Sequence, residues 1–291
     1  MSRVSSSIFN WQRFAGNRRL FLLCLFLFVV SAFFSSWLFF PAEVLQRRLL
    51  QEVSLQTGLN MQGRNATMLF PVGLGLDLSI YPEMSELIDF DLTELQVTPV
   101  WGSLFSNQQK VNLTGILAGG GINADVGRGG QISLKLKDIA LAALQQLDMP
   151  YRISGQLTGQ LAGENISKNM SGRGNFSLSL RDTRVLGLEQ IGLPANFSAG
   201  MLQLEGKLDQ RRVSLEKVVL TGGPLELSGG GNILIGEIPE QTRLNLNVRL
   251  HPTSTTPDSL RELLNLTGVR PTADGSYLLR VGGTLAKPVI R

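Results

Sequence analysis

Cysteine occurs once, at Cys24, and histidine once, at His251, in a chain of 291 residues. A single thiol excludes a disulfide framework and a cysteine zinc site, since both need clusters, and one imidazole excludes a histidine-rich metal site. No metal and no cofactor is expected. Only carboxylate, Ser/Lys or Tyr chemistry is left for catalysis, and the chain reads as a non-enzyme. Acid is missing altogether from residues 1–40, where Arg3, Arg13, Arg18 and Arg19 lie. Those four carry the whole formal charge of +4, because the other 23 basic residues balance the 23 acidic ones. The rest of the chain is neutral and has no Lys/Arg run interleaved with aromatics, so nucleic acid is not an expected partner.

What the N-terminal region does have is a long apolar run. Residues 20–40, LFLLCLFLFVVSAFFSSWLFF, are 21 positions without a charge. As a helix they reach roughly 31 Å, which matches a hydrocarbon core about 30 Å thick. A cleaved signal peptide has an apolar core of about 7–15 residues and a small-residue cleavage site, and this run is longer and ends FFPAE. The expectation is an uncleaved single-pass transmembrane helix. Four arginines precede it and two, Arg47 and Arg48, follow it closely. The positive-inside rule then puts the N-terminus in the cytoplasm, with Arg13, Arg18, Arg19 and Trp37 flanking the anchor. The expected division is a basic cytoplasmic tail (1–19), the span (20–40), a juxtamembrane amphipathic helix (41–57) and an exported β-rich domain (58–291). Leu45, Leu49 and Val53, widened by Leu50, make the stripe of the juxtamembrane helix, which is expected to continue the anchor as a stalk.

Beyond Gly58 the hydrophobic period changes from 3.6 to 2. Leu74, Leu76, Leu78 and Ile80 alternate with small or polar residues, as do Ile132, Leu134 and Leu136, then Phe176, Leu178 and Leu180, then Leu244, Leu246, Val248 and Leu250. Such strands are antiparallel, apolar on one face and wet on the other. Gly is about 11% of the chain against a typical ~7%, and the runs 119–121, 127–130, 172–174, 222–223, 229–231 and 282–283 read as turns between strands. An apolar-polar-Gly cadence recurs at Gly115, Gly155, Gly206, Gly229 and Gly282 without a strict period, which suggests a meander of hairpins. Two helices are expected to interrupt it. One covers 139–147 behind Asp138 as N-cap, and one follows Thr256 and Pro257, with Leu260, Leu263 and Leu264 as its stripe and Gly268 after its end.

The fold class expected is mainly β: a curved antiparallel sheet, as a trough or flattened barrel, with two or three short helices. Each buried Leu or Phe is worth roughly 1.5–3 kcal/mol, and the net stability of a domain is only about 5–15 kcal/mol, so the apolar face has to be covered. Two short helices do not suffice, and the sheet must curl or offer its face to lipid or a partner. The candidate groove face is Leu74, Leu76, Leu78, Ile132, Leu134, Leu136, Phe176, Leu178, Leu180, Leu244, Leu246 and Val248.

Catalytic motifs fail on context. Gly119-x-Gly121-x-x-Ala124 lacks the helix a dinucleotide fingerprint needs. Ser214-x-x-Lys217 sits on an alternating segment, which would point the two side chains to opposite faces. His251 adjoins Pro252 and reads as a surface residue, and Asp89 and Asp91 read as a solvated strand face with no third cation ligand.

The order of features resembles the type II secretion system protein N family (GspN) and, more distantly, the AsmA-like envelope proteins. The basic tail and anchor, Gln56-Thr-Gly-Leu59, Leu69-Phe-Pro-Val-Gly-Leu-Gly-Leu76 and Val281-Gly-Gly-Thr-Leu-Ala-Lys-Pro-Val-Ile290 carry the resemblance. It implies a bacterial inner-membrane, single-pass subunit of a protein transport machine, its periplasmic domain touching other secretion-system subunits, with no catalytic residue. The AsmA-like kinship implies an alternative, in which an apolar β groove holds phospholipid acyl chains.

Overall fold

The computed structural model describes the chain apart from residues 1–17, 39–40, 58, 83–89, 105, 107–108, 145–151, 166–171, 192–195, 237–238, 267 and 291. The chain divides into two compact units, Met1–Ala42 and Glu43–Arg291. In the first, helix α1 (Arg18–Leu38) has mostly exposed apolar side chains over 21–35, and Phe33 meets Phe34 edge to face at 6.0 Å. Among the described residues no helix is long and apolar enough to cross a membrane.

The second unit begins with α2 (Ala42–Thr57) and continues into a single antiparallel sheet. Its strands are β1 (Leu59–Leu69), β2 (Gly73–Pro82), β3 (Phe90–Pro99), β4 (Lys110–Leu117), β5 (Gly120–Gly127), β6 (Ile132–Ala140) and β7 (Arg152–Glu164). They continue as β8 (Arg173–Leu186), β9 (Asn196–Asp209), β10 (Arg212–Thr221), β11 (Leu225–Leu234), β12 (Arg243–Pro252), β13 (Tyr277–Gly283) and β14 (Pro288–Ile290). All fourteen stand in sequence order, each bonded to its chain neighbours. Short connections and one-sided patterning favour this meander, because each hairpin forms locally and lays its apolar face beside that of the strand before. The described pairings leave β1 and β14 as edges, so they form an open sheet and not a closed barrel.

The helices differ from expectation in instructive ways. α2 does not stand free as a stalk. Gln46, buried, and Leu50 lie over Gly63 of β1, so the helix folds back along the strand that follows it. Its contact is therefore made by Gln46 and Leu50, while Leu49 of the expected stripe is exposed. The helix expected over 139–147 is not formed over 139–144, the part that is described: β6 runs on to Ala140, Ile139 is only 1% exposed, and a 3₁₀ turn takes Leu141–Ala143. Asp138 is not a cap but a strand residue at φ 54°. A four-residue helix α3 (Trp101–Leu104) follows β3, and α4 (Asp258–Leu266) lies where the second helix was expected, with Gly268 after it at φ 75°. Thr256 is buried, and its hydroxyl donates to the carbonyls of Pro224 and Thr253, tying the start of this helix to the β10–β11 turn.

A side chain at Gly63 measures the docking of α2. An added Cβ would run into the Gln46 amide and lie 2.7 Å from Leu50 Cδ1. Gly63→Val is expected to lift α2 off β1 at a cost of roughly 1–3 kcal/mol, read as a lower denaturation midpoint with faster proteolysis near residue 58.

Bulges interrupt the ladder on a line across the sheet. Register shifts fall at Asn65, Glu94, Asp138 and Asp182, all with φ between 52° and 57°. Asn and Asp tolerate this left-handed backbone better than other side chains, and each bulge bends its strand and increases its twist. Carboxylates hold these kinks. Asp77 accepts from Asn65 Nδ2 at 2.7 Å and from the Glu94 amide at 3.0 Å, joining the bulges of β1 and β3. Asp138 accepts from Arg181 Nη2 at 2.7 Å and from Thr158 Oγ1 at 3.3 Å.

Candidate apolar binding face

Register turns the alternation of single strands into rows that cross the whole sheet. One row reads Met68, Leu74, Val97, Leu113, Ala124, Leu134, Leu161, Phe176, Gly206, Leu215, Gly231, Leu246, Val281 and Ile290, one residue from each of the fourteen strands. Every position is apolar or glycine. A second runs through Ile122, Leu136, Gly159, Leu178, Leu204, Val218, Gly229, Val248 and Leu279. A third joins Ile139, Leu157, Leu180, Leu202, Leu220, Leu227, Leu250 and Tyr277. The row on the other flank contains Ile132 and Leu244, linked through Gly163, Gly174, Leu208, Val213 and Ile233. Leu76 and Leu78 pair with Leu95 and Leu92 of β3 on the same side of β2 as Leu74. The twelve residues singled out from the sequence thus share one face.

Cover over this face is uneven. At the first strands Leu74, Leu76 and Leu78 are buried, beside the place where α2 crosses Gly63. At the last strands α4 puts Leu264 against Leu250 and Tyr277, with Leu225, Leu227, Val248, Val269 and Leu279 around them. The Tyr277 hydroxyl donates to Asn265 Oδ1 at 3.0 Å, pinning α4 to β13. Between these ends Ile132, Leu134, Leu136, Phe176 and Leu178 are only half-buried, as are Leu244, Leu246 and Val248 along β12. Leu180 is buried in the row it shares with Ile139.

The run 229–231, expected to be a turn, lies inside β11, where Gly229 and Gly231 belong to rows of the apolar face, while Gly283 ends β13 at φ 85° and opens the turn to β14. A Cβ on Gly206 would sit 2.7 Å from the Phe176 ring, and one on Gly229 would sit 3.0 Å from the Val248 Cα. At Gly206 the Phe176 ring occupies the space the glycine leaves, and at Gly229 the backbone of β12 does.

The opposite face is wet. Thr98, Asn112, Asp125, Ser133, Ala162, Asn175, Lys207, Ser214, Asn232 and Asn245 form one of its rows. The Lys217–Glu205 and Lys207–Glu216 ion pairs lie across β9 and β10, too exposed to add much stability. A bulge at Glu216 puts Ser214 and Lys217 on the same face and not on opposite ones. Even so, each has a partner of its own: Ser214 donates to Asn232 Oδ1 and Lys217 pairs with Glu205. A hollow of about 620 Å³ is also on this side, lined chiefly by Thr114, Asn123, Lys135, Gln160, Ser177 and Ser179. Gly119 turns the β4–β5 hairpin, and no helix follows it. His251 is exposed at the end of β12, and Asp91 accepts from Ser79 Oγ at 2.6 Å; Asp89 lies outside the described residues. Among the described residues no group of three His, Cys, Asp or Glu is placed to hold a metal ion. Of the anchor flank, Arg18 and Arg19 open α1 and Trp37 is near its end, while Arg13 lies outside the described residues.

Two solvent-facing carboxylates are held below their ordinary range. The Asn65 amide, then the Glu94 N–H, lower Asp77, and the hydroxyls of Thr272 and Ser276 lower Asp274. A carboxylate whose folded-state value lies below its unfolded one stabilises the fold above the unfolded value and loses that contribution as pH falls. Stability is therefore expected to decline from about pH 4 downward, and Asp77→Asn with Asp274→Asn should flatten the decline, as read from denaturant midpoints at pH 5 and pH 3.

No known family model matches the chain, and neither a curated protein nor a solved structure matches it significantly.

Proposed function

We propose that this chain is a non-enzymatic, inner-membrane-anchored periplasmic component of the bacterial type II protein secretion machinery, as the resemblance to protein N implies. Residues 20–40 are its transmembrane anchor, its N-terminus is cytoplasmic, and its sheet is a curved, exported trough. The observation that supports this reading is the fourteen-strand sheet itself, apolar on one face and with β1 and β14 as edges in the described pairings, which offers surface for contact. Edge strands β1 and β14 offer backbone groups to an added strand of another subunit. Photo-crosslinkers placed at Arg64 and Val289 in whole cells are expected to capture secretion subunits, and recovery of none overturns this reading.

A second reading, AsmA-like lipid holding, is favoured by the chemistry of the apolar face. Protein interfaces carry roughly one hydrogen bond per 100–200 Å². The rows from β4 to β10 offer none, since their side chains are apolar or glycine and their backbone is paired within the sheet. Acyl chains ask for no hydrogen bonds and fit such a face. Mass spectrometry of the chain released from detergent should find phospholipid bound, and an empty protein contradicts the lipid reading.

A further inference from the structure

In a meander each connection falls at one of two ends, and here the two ends differ in chemistry. The β1–β2, β3–β4, β5–β6, β7–β8, β9–β10, β11–β12 and β13–β14 connections share one end. There Phe70 is 64% exposed, Trp101 48% and Leu285 55%, with Val72 and Leu234 also outward. At the opposite end the exposed apolar side chains among the described residues are Ile116, Ile153 and Leu278, all aliphatic.

Charge follows the same division. Among the described residues, the connections at the first end and the strand residues flanking them hold Arg128, Arg173, Arg211, Arg212, Arg243 and Lys287, all exposed, and half-buried Lys110, against Glu164, Asp209 and Glu240. One of those acids, Asp209, is paired with Arg173 at 3.0 Å. The opposite end has Arg152, Arg261 and Arg270 against Glu189, Asp258, Glu262 and Asp274. Aromatic and aliphatic tips ringed by basic residues are what an interfacial membrane contact requires: rings enter the headgroup layer while guanidinium groups reach the phosphates. α2 folds back along β1, so its N-terminal end faces this same end of the sheet.

We infer that the rim formed by Phe70, Val72, Trp101, Leu234 and Leu285 seats in the interfacial layer of an anionic lipid bilayer, with Arg128, Arg212 and Lys287 on its phosphates. This contact is separate from whatever occupies the apolar face.

The test uses the full chain with Trp11→Phe and Trp37→Phe, leaving Trp101 as its only tryptophan, reconstituted in vesicles containing phosphatidylglycerol. Brominated lipid is placed either in the host vesicles or in added protein-free vesicles. Trp101 emission should shift to the blue and be quenched in one of these arms. Arg128→Glu, Arg212→Glu and Lys287→Glu together should weaken the quenching by about tenfold at low salt, with unchanged circular dichroism. A tryptophan at the opposite end, Ile153→Trp with Trp101→Phe, should stay unquenched. No quenching of Trp101 in either arm, as a rim reserved for a protein partner would give, overturns the proposal, and so does quenching that is equal in neutral vesicles and indifferent to the three reversals. Protection of Cys24 from an impermeant maleimide reports the anchor independently, so loss of the rim contact and loss of the anchor are told apart.

Discussion

Replacing Gly200 by valine is expected to destabilise the sheet by roughly 3 kcal/mol or more, enough to unfold a domain near the low end of the usual 5–15 kcal/mol. Gly200 sits in β9 at φ 90°, a backbone conformation that costs a β-branched residue about 1–3 kcal/mol by itself. A Cβ there would also strike the Thr221 carbonyl oxygen and lie 2.7 Å from the Gly223 nitrogen. Both are backbone atoms of the β10–β11 turn and cannot swing aside as a side chain would, which adds an overpacking cost of about 1–3 kcal/mol. Gly121→Ala is the matched control. It lies in β5, a Cβ there meets nothing within 4 Å, and its midpoint should move by no more than about 0.5 kcal/mol. Urea denaturation of the two variants separates strain at one kink from a general intolerance of side chains in place of glycine.

The second large effect concerns the apolar face. Leu134→Glu combined with Leu178→Glu puts two carboxylates in neighbouring rows of the middle of the sheet, outside the cluster that α4 covers. Both leucines are half-buried, so the carboxylates keep access to water and the protein still folds. Each leucine contributes up to about 1.5–3 kcal/mol to an apolar occupant, and losing two predicts a drop in bound lipid of roughly a hundredfold. The readout is the lipid-to-protein ratio by mass spectrometry. A ratio equal to that of the unaltered chain would show that these rows carry nothing.

Much of the fold was legible in the alternation of apolar and polar residues. Leu74 to Leu78, Ile132 to Leu136, Phe176 to Leu180 and Leu244 to Val248 share one face because a pleated strand repeats every two residues. Glycine misled where it serves packing. Gly229, Gly230 and Gly231 look like a turn when only backbone freedom is considered, yet they lie in mid-strand, where the backbones of β10 and β12 come too close for a Cβ. Asp138 misled for a related reason: a short carboxylate suits a helix N-cap and a left-handed bulge alike, and only the partners Arg181 and Thr158 decide. The bulge at Glu216, which brings Ser214 and Lys217 to one face, has no signature in composition. The chemistry of the face was readable, but its continuity across fourteen strands was not, because register is set by hairpin connections and by bulges such as those at Asn65 and Asp138, which the alternation within one strand does not reveal.

The account stands on the middle of the apolar face being free to take an apolar occupant. A photoreactive phenylalanine analogue in place of Phe176, irradiated in whole cells, tests this directly, followed by intact-mass and peptide mass spectrometry. An adduct with the mass of a phospholipid or of an envelope protein at position 176 is the predicted result. Cross-links running only to other residues of the same chain would show that the protein covers this face itself, and would contradict the account.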